Sequence, residues 1–302
     1  METSAQVADR NTLAPSSVPN PFPRRLARSL LSRAAYQVPG SELGRRAVVF
    51  SPHPDDESLG CGGTILRKKQ AGATVKLVQV SDGGGSTTLI PRDELTAMRK
   101  RESVNAGRVL GVDDIFFLEF PDGHLGEHMA AAIERVDEIL RQESPEEVFV
   151  PYRHEPMKQA ADHVAVTNIV LAALRRQPNP VTVWEYPVWF WLHWPWVGFS
   201  QNTPPLQPKH ILKNSLLARF GVRAFLDLKH KVNIADVLQQ KREAIAQHKS
   251  QTEKLIDDPS WVTLEELSNG ELMDCFYQDS EFFRCYTYGG VKGATGSGSD
   301  TT

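Results

Sequence analysis

At 302 residues and 40% hydrophobic content, the chain is long enough for one large α/β domain, and a single domain with tails is the simplest organisation. A formal net charge of -3 and a pI near 6.3 leave no global electrostatic footprint for nucleic acid, which is not an expected partner. The three scattered cysteines, Cys61, Cys275 and Cys285, exclude a disulfide framework or a CxxC-type zinc cluster and read as small hydrophobes in a reducing compartment.

Residues 1–23, rich in Ser, Pro, Asn and Thr, are expected to form a poorly ordered tail, as are the Gly/Ser-rich residues 293–302. The folded domain should therefore span 24–292. The opening METSAQVADRN has acidic residues and no apolar stretch, so a secretory signal is not expected, and no run approaches the roughly 20 apolar residues that cross a bilayer. A cytoplasmic protein is expected. The domain opens on RRLARSLLSRAA, residues 24–35, a short basic amphipathic helix. Such a helix usually packs on its own domain, and the alternative is a peripheral contact with an anionic membrane.

The first strand signal is AVVF at 47–50, and directly after it comes SPHPDDES, residues 51–58. So many acids at the mouth of a buried strand are costly unless a cation offsets them. His53 and Asp56 offer an imidazole nitrogen and a carboxylate oxygen, a mixture that suits zinc and also accepts iron or cobalt. Pro54 stiffens the turn, and Asp55 projects to another side, free to take a proton from a metal-bound water. Helix capping is the competing explanation; it needs one acid and accounts for neither the histidine nor the proline.

VKLVQV at 75–80 is the second strand. In the helix that follows, Arg99 and Glu102 lie three apart, the spacing of an exposed ion pair. FFL at 116–118 leads to Phe-Pro-Asp-Gly, where Asp122 reads equally as a turn residue and as a hydrogen-bonding partner for sugar hydroxyls at a strand's carboxyl end. Met129, Ile133, Val136 and Leu140 then make one helical stripe over 126–142. After the VFV strand at 148–150, His154 sits in a loop, either solvated or reaching into a site. Asp162-His163 opens a helix with the stripe Val166, Ile169, Val170, Ala173 and Leu174, so His163 also lies near a strand's carboxyl end. It is the third candidate ligand, against the alternative that the pair only caps the helix.

VTVWEY at 181–186 is the last strand signal, and the aromatic-rich segment 184–199 around it fits a cap over a pocket, with sugar stacking or a membrane interface as alternatives. His248 shares a helical stripe with Val237, Lys241 and Ala244, which faces it toward protein. This alternation of strands and helices implies a Rossmann-like α/β fold, a mostly parallel sheet with helices on both faces and an aromatic-rich cap. Ligands in such sheets bind beyond the carboxyl ends of the strands.

The chain resembles the LmbE-like, or PIG-L-type, zinc-dependent N-deacetylases. Its HPDDE signature is His53-Pro54-Asp55-Asp56-Glu57 and its DH pair is Asp162-His163. Supporting matches are Arg99 to Glu102, LGV at 110–112, FPDG at 120–123, and Lys241, His248, Ser250 and Gln251. The resemblance implies one Zn2+ per chain on His53, Asp56 and His163, with Asp55 as general base. It also implies Asp162 as support for a neighbouring group and Arg99 as a substrate contact. The implied reaction is removal of acetyl from the nitrogen of a small N-acetylglucosamine-type conjugate. The alternatives are a zinc amidase for non-sugar substrates and a catalytically weak glycan- or lipid-binding member. One position departs from the pattern: the histidine two residues before the DH aspartate is Ala160 here. An active enzyme is then expected to draw its oxyanion donor from elsewhere, with His154 the first candidate and His248 the second.

Overall fold

The computed structural model describes residues 22–155, 161–195 and 208–290. The expected tails fall largely outside these residues, as do Ala160 and the end of the aromatic segment. Eight strands form one sheet: β1 (Tyr36–Gln37), β2 (Ala47–Ser51), β3 (Val75–Ser81), β4 (Asp114–Phe120), β5 (Glu147–Pro151), β6 (Val181–Tyr186), β7 (His230–Asn233) and β8 (Ser280–Tyr288). Their order is β1-β7-β8-β6-β5-β2-β3-β4. From β4 to β6 every pairing is parallel; β8 then runs antiparallel to both β6 and β7.

The central strands read as continuous apolar runs because both faces are covered. Along β2, Ala47 and Val49 enter one core, and Val48 and Phe50 enter the other, the alternation that a two-residue period dictates. The helices are α1 (Phe22–Ala34), α2 (Asp56–Gln70), α3 (Arg92–Leu110), α4 (Met129–Glu143), α5 (Ala161–Leu174), α6 (Pro208–Leu217), α7 (Val222–Asp227), α8 (Leu238–Ile245), α9 (Lys249–Thr252) and α10 (Met273–Phe276). The stripe expected over 126–142 begins as a tight 3-10 turn at 125–128 and becomes α-helical only at Met129. The 24–35 helix does pack on its own domain: Leu31 is buried and Arg24 is ion-paired with Glu271.

Two features of this layout create a site. The chain winds from β2 through β3 to β4 at one edge, then returns to place β5 and β6 on the other side of β2. Winding reverses between β2 and β5, so the loops leaving their carboxyl ends diverge and leave a crevice. The second feature is Gly60, where a Cβ would lie 2.2 Å from the Tyr186 ring. Its absence lets α2 lie close on the sheet, with the helix N-terminus beside the crevice.

Candidate metal centre

After β2 the chain leaves as Pro52-His53-Pro54-Asp55 and enters α2 at Asp56. Asp55 has φ 151°, a conformation that side-chain-bearing residues rarely adopt and that persists only where the surroundings fix it. Glu57 provides much of that fixing. Its buried carboxylate accepts hydrogen bonds from Ser51 Oγ (2.9 Å), Ser58 Oγ (2.9 Å), Gln79 Nε2 (3.0 Å) and the Asp55 N–H (3.3 Å). Arg99 secures the loop from the other side, donating to Pro54 O (2.8 Å) and Gly83 O (3.0 Å) and standing 3.4 Å from Asp55 Oδ1. Gly83 takes φ +67°, and a Cβ there would meet Pro54 at 2.9 Å and Arg99 at 3.1 Å.

The exposed Arg99–Glu102 pair suggested by sequence spacing is therefore corrected. Both side chains are buried and turn to different partners. Glu102 accepts the Ser250 N–H at 2.8 Å and the Ser250 hydroxyl at 2.7 Å. Burial makes these fixed, charge-assisted contacts and not a solvated surface pair.

At the crevice, His53 from the β2 loop meets His163 from α5, which follows β5. His53 Nδ1 lies 3.0 Å and His163 Nε2 3.2 Å from the same oxygen, Asp56 Oδ2. His53, Asp56 and His163 each bring a ligand atom within 4.8 Å of the others'. On its far side, His53 Nε2 stands 3.1 Å from Asp122 Oδ1 and 3.6 Å from Asp162 Oδ2, a second such triple. Asp162 also accepts the Gly123 N–H (2.7 Å), and Asp122 that of Gly85 (2.9 Å). The Phe-Pro-Asp-Gly turn is thus held against the imidazole.

Among the described residues, no lysine or arginine is ion-paired with Asp56, Asp122 or Asp162. Burial opposes charge on Asp56, but His163 and His53 hold its carboxyl well below the usual range. Burial likewise opposes charge on His53, and the hydrogen bonds to Asp122, Asp162 and Asp56 outweigh it, leaving the imidazole well above its ordinary value. Asp55 is pushed by burial up to about 7 against the opposing charge of Arg99. Three acids whose ion-pair partners among the described residues are two imidazoles suit a divalent cation, and the N/N/O donor set of His53, His163 and Asp56 suits zinc.

The two histidines suggested as oxyanion donors are not part of this cluster. His154 is exposed, its ring edge-on to Tyr152. Partial burial and the charge of Arg223 bring its pKa down to about 4. His248 lies beyond the end of α8, at the start of α9, so one helical stripe does not run through it. It is fully buried, with Nε2 3.0 Å from Ser58 Oγ and 3.4 Å from Glu57 Oε1. Burial would lower its pKa; the Glu57 and Asp55 charges raise it.

Two neighbours of the cluster had no sequence signal of their own. Trp189, in a 3-10 turn at 189–192, points its indole Nε1 at His163 Nε2 from 3.1 Å. Glu155 is buried at the root of the same turn, accepting the Val188 N–H at 2.7 Å. Burial raises it to about 8, and Asp56 adds to the effect. The rest of the turn packs as an aromatic cap, Phe190 edge-on to Tyr152 and Trp194 against Phe225.

Comparison with known proteins places this arrangement in context. Residues 48–174 match the family model described as PIG-L: GlcNAc-PI de-N-acetylase. A Bacillus cereus relative named "Probable N-acetyl-alpha-D-glucosaminyl L-malate deacetylase 2" is 26% identical over 222 residues, covering 72% of this chain and 88% of the relative. The Escherichia coli K12 "Uncharacterized deacetylase YaiS" is 30% identical over 135 residues, 44% of this chain and 69% of the relative. The solved N,N'-diacetylchitobiose deacetylase from Pyrococcus horikoshii shares the fold, with a TM-score of 0.59 at 23% identity over 87% of this chain and 90% of that one.

Proposed function

Since the chain belongs to the PIG-L (LmbE-like) family of deacetylases, we propose that it is a zinc-dependent hydrolase that removes acetyl from the nitrogen of a small N-acetylglucosamine-type conjugate. The observation that carries the reading is the convergence of His53, Asp56 and His163 at the point where the sheet reverses its winding. The relatives' named activities on amino-sugar conjugates support the substrate class.

In this reading His53, Asp56 and His163 hold the ion. When bound, zinc polarises the acyl oxygen and lowers the pKa of the attacking water. Asp55 takes that water's proton and returns it to the departing amine, so a single carboxylate acts as base and then as acid. Arg99 is a positioning residue, since its contacts with Pro54, Gly83 and Asp55 fix where the base stands. Asp162 supports the Asp122 turn, and Asp122 faces the crevice beside His53.

Trp189 is the residue assigned to donate the oxyanion hydrogen bond. Its N–H points at His163 Nε2; with that nitrogen holding a metal, the N–H would be free to donate to an acyl oxygen in the crevice. Trp189→Phe should then lower turnover by about 10²-fold with metal content unchanged, whereas an unaffected rate would remove Trp189 from the reaction. The test of the whole reading is acetate release from a panel of N-acetylglucosamine conjugates, with and without chelator. A metal-loaded protein that releases no acetate from any of them would overturn it.

A further inference from the structure

We propose that the face formed by α1, α6 and α7 docks on an anionic membrane surface. Each of these helices spends one side on the domain and leaves an apolar ridge on the other. On α1 the inner side holds Leu31 and the Arg24 and Arg28 side chains, bonded to Glu271 and Cys275. Leu26 and Leu30, one turn apart, are 47% and 45% exposed.

On α6 Ser215 is buried, while Leu212 and Leu216, again four apart, point outward. On α7 Ala224 is buried and Val222 and Leu226 are exposed; Phe220, in the turn that joins the two helices, is 63% exposed. Since α1 packs beside α7 and the 219–221 turn joins α6 to α7, the three helices that carry the ridges are neighbours. A scattered exposed leucine is ordinary, but a cluster of this kind marks an interaction surface.

Charge identifies the occupant. Residues 208–229 carry Lys209, Lys213, Arg219, Arg223 and Lys229, and their single acid, Asp227, accepts the Tyr152 hydroxyl. On α1, whose residues 22–34 include no acid, Arg25 and Arg33 are exposed while Arg24 and Arg28 are turned to the domain. In a chain of net charge -3 this is a local concentration of positive charge. Short helices with aliphatic ridges flanked by bases are the composition of an interfacial element, whose side chains reach the acyl boundary while the bases meet anionic headgroups. A second copy of the chain fits less well, because a two-fold contact through this face would set the same cations against one another. Among the described residues no helix is long and apolar enough to cross a membrane, so the contact is peripheral.

The experiment is co-sedimentation of the full, zinc-loaded chain with phosphatidylglycerol–phosphatidylcholine vesicles and with pure phosphatidylcholine vesicles, at low and high salt. Binding should favour the anionic vesicles and weaken as salt screens the headgroups. Leu216→Ser/Leu226→Ser and, separately, Lys209→Ala/Lys213→Ala/Arg219→Ala should each reduce binding about tenfold or more. Circular dichroism and turnover of a water-soluble substrate should stay unchanged, which separates lost docking from lost folding or a wrong enzymatic assignment. The proposal is overturned by a chain that stays in the supernatant at low salt, by variants that bind as the parent does, or by a stable dimer in analytical ultracentrifugation that Leu216→Ser/Leu226→Ser dissociates.

Discussion

Buried carboxylates occur in two regions of this molecule and are neutralised in different ways. Away from the crevice, Glu147 and Glu281 each have a buried lysine. Glu147 accepts a 2.5 Å hydrogen bond from the buried Lys68, and Glu281 a 2.7 Å bond from the buried Lys241 while also holding the Gly63 and Thr64 N–H groups. In the crevice the ion-pair partners of Asp56, Asp122 and Asp162 among the described residues are His53 and His163. A lysine partner is a permanent counter-charge and makes structure. An imidazole can exchange its proton for a metal, so the second arrangement makes a site.

The largest effect should come from breaking the imidazole-shared cluster. His53→Ala, Asp56→Ala and His163→Ala should each lose the bound zinc and bring acetate release to background, measured by elemental analysis and turnover on the same samples. If all three variants kept stoichiometric metal, the assigned ligand set would be wrong. Asp55→Asn tests the acid that neither imidazole contacts. It should keep the metal and lose about 10²–10⁴-fold in turnover, and a near-normal rate would move the base elsewhere.

Lys68→Met breaks a lysine pair instead. It leaves Glu147 buried with only the partly exposed Arg45, 3.3 Å away, as counter-charge and should cost up to about 3 kcal/mol in urea unfolding, with turnover per folded molecule unchanged. The double variant Lys68→Met/Glu147→Leu should recover most of that loss; if it did not, the pair would matter for something other than charge balance.

Glu155 gives the most conditional effect, one that shows only as a dependence of stability on pH. Its folded pKa, about 8, lies above the ordinary 4.5, so between these values the unfolded chain ionises while the folded one keeps its proton. Stability should therefore fall as pH rises through this window, by up to about 1.4 kcal/mol per unit, and level off above it. Glu155→Gln should remove this slope, and thermal melts of the two proteins from pH 5 to pH 8 would show whether it does.

The legible part of the site was local. His53, Asp55 and Asp56 stand together where an apolar strand gives way to a helix, and Asp162-His163 opens a helix that is buried on nearly every side, so both ends of the cluster lie in single windows of sequence. What escaped depends on partners far along the chain. Arg99 and Glu102 look like a pair at helical spacing, yet their partners are Pro54, Gly83 and Asp55 for one and Ser250 for the other. In β8, Glu281 and Arg284 disguise a strand whose charges are met by Lys241 and Glu185. Strand β1 has only two residues and β7 four, too short for a period to register. Glu155 carries no pattern at all, because its raised pKa arises from burial that only the folded cap supplies.

Trp194 has a consequence for motion. It packs edge-on against Phe225 of α7, and Gly221 lies so close that a Cβ there would stand 2.2 Å from its indole nitrogen. The turn bearing Trp189 and the helix α7 therefore pack against one another through Trp194, which predicts that a change at one is felt at the other. Amide hydrogen exchange would register that coupling: slowing at α7 on contact with vesicles should spread to the amides of residues 188–194, while α4, on the opposite face of the sheet, keeps its own rate.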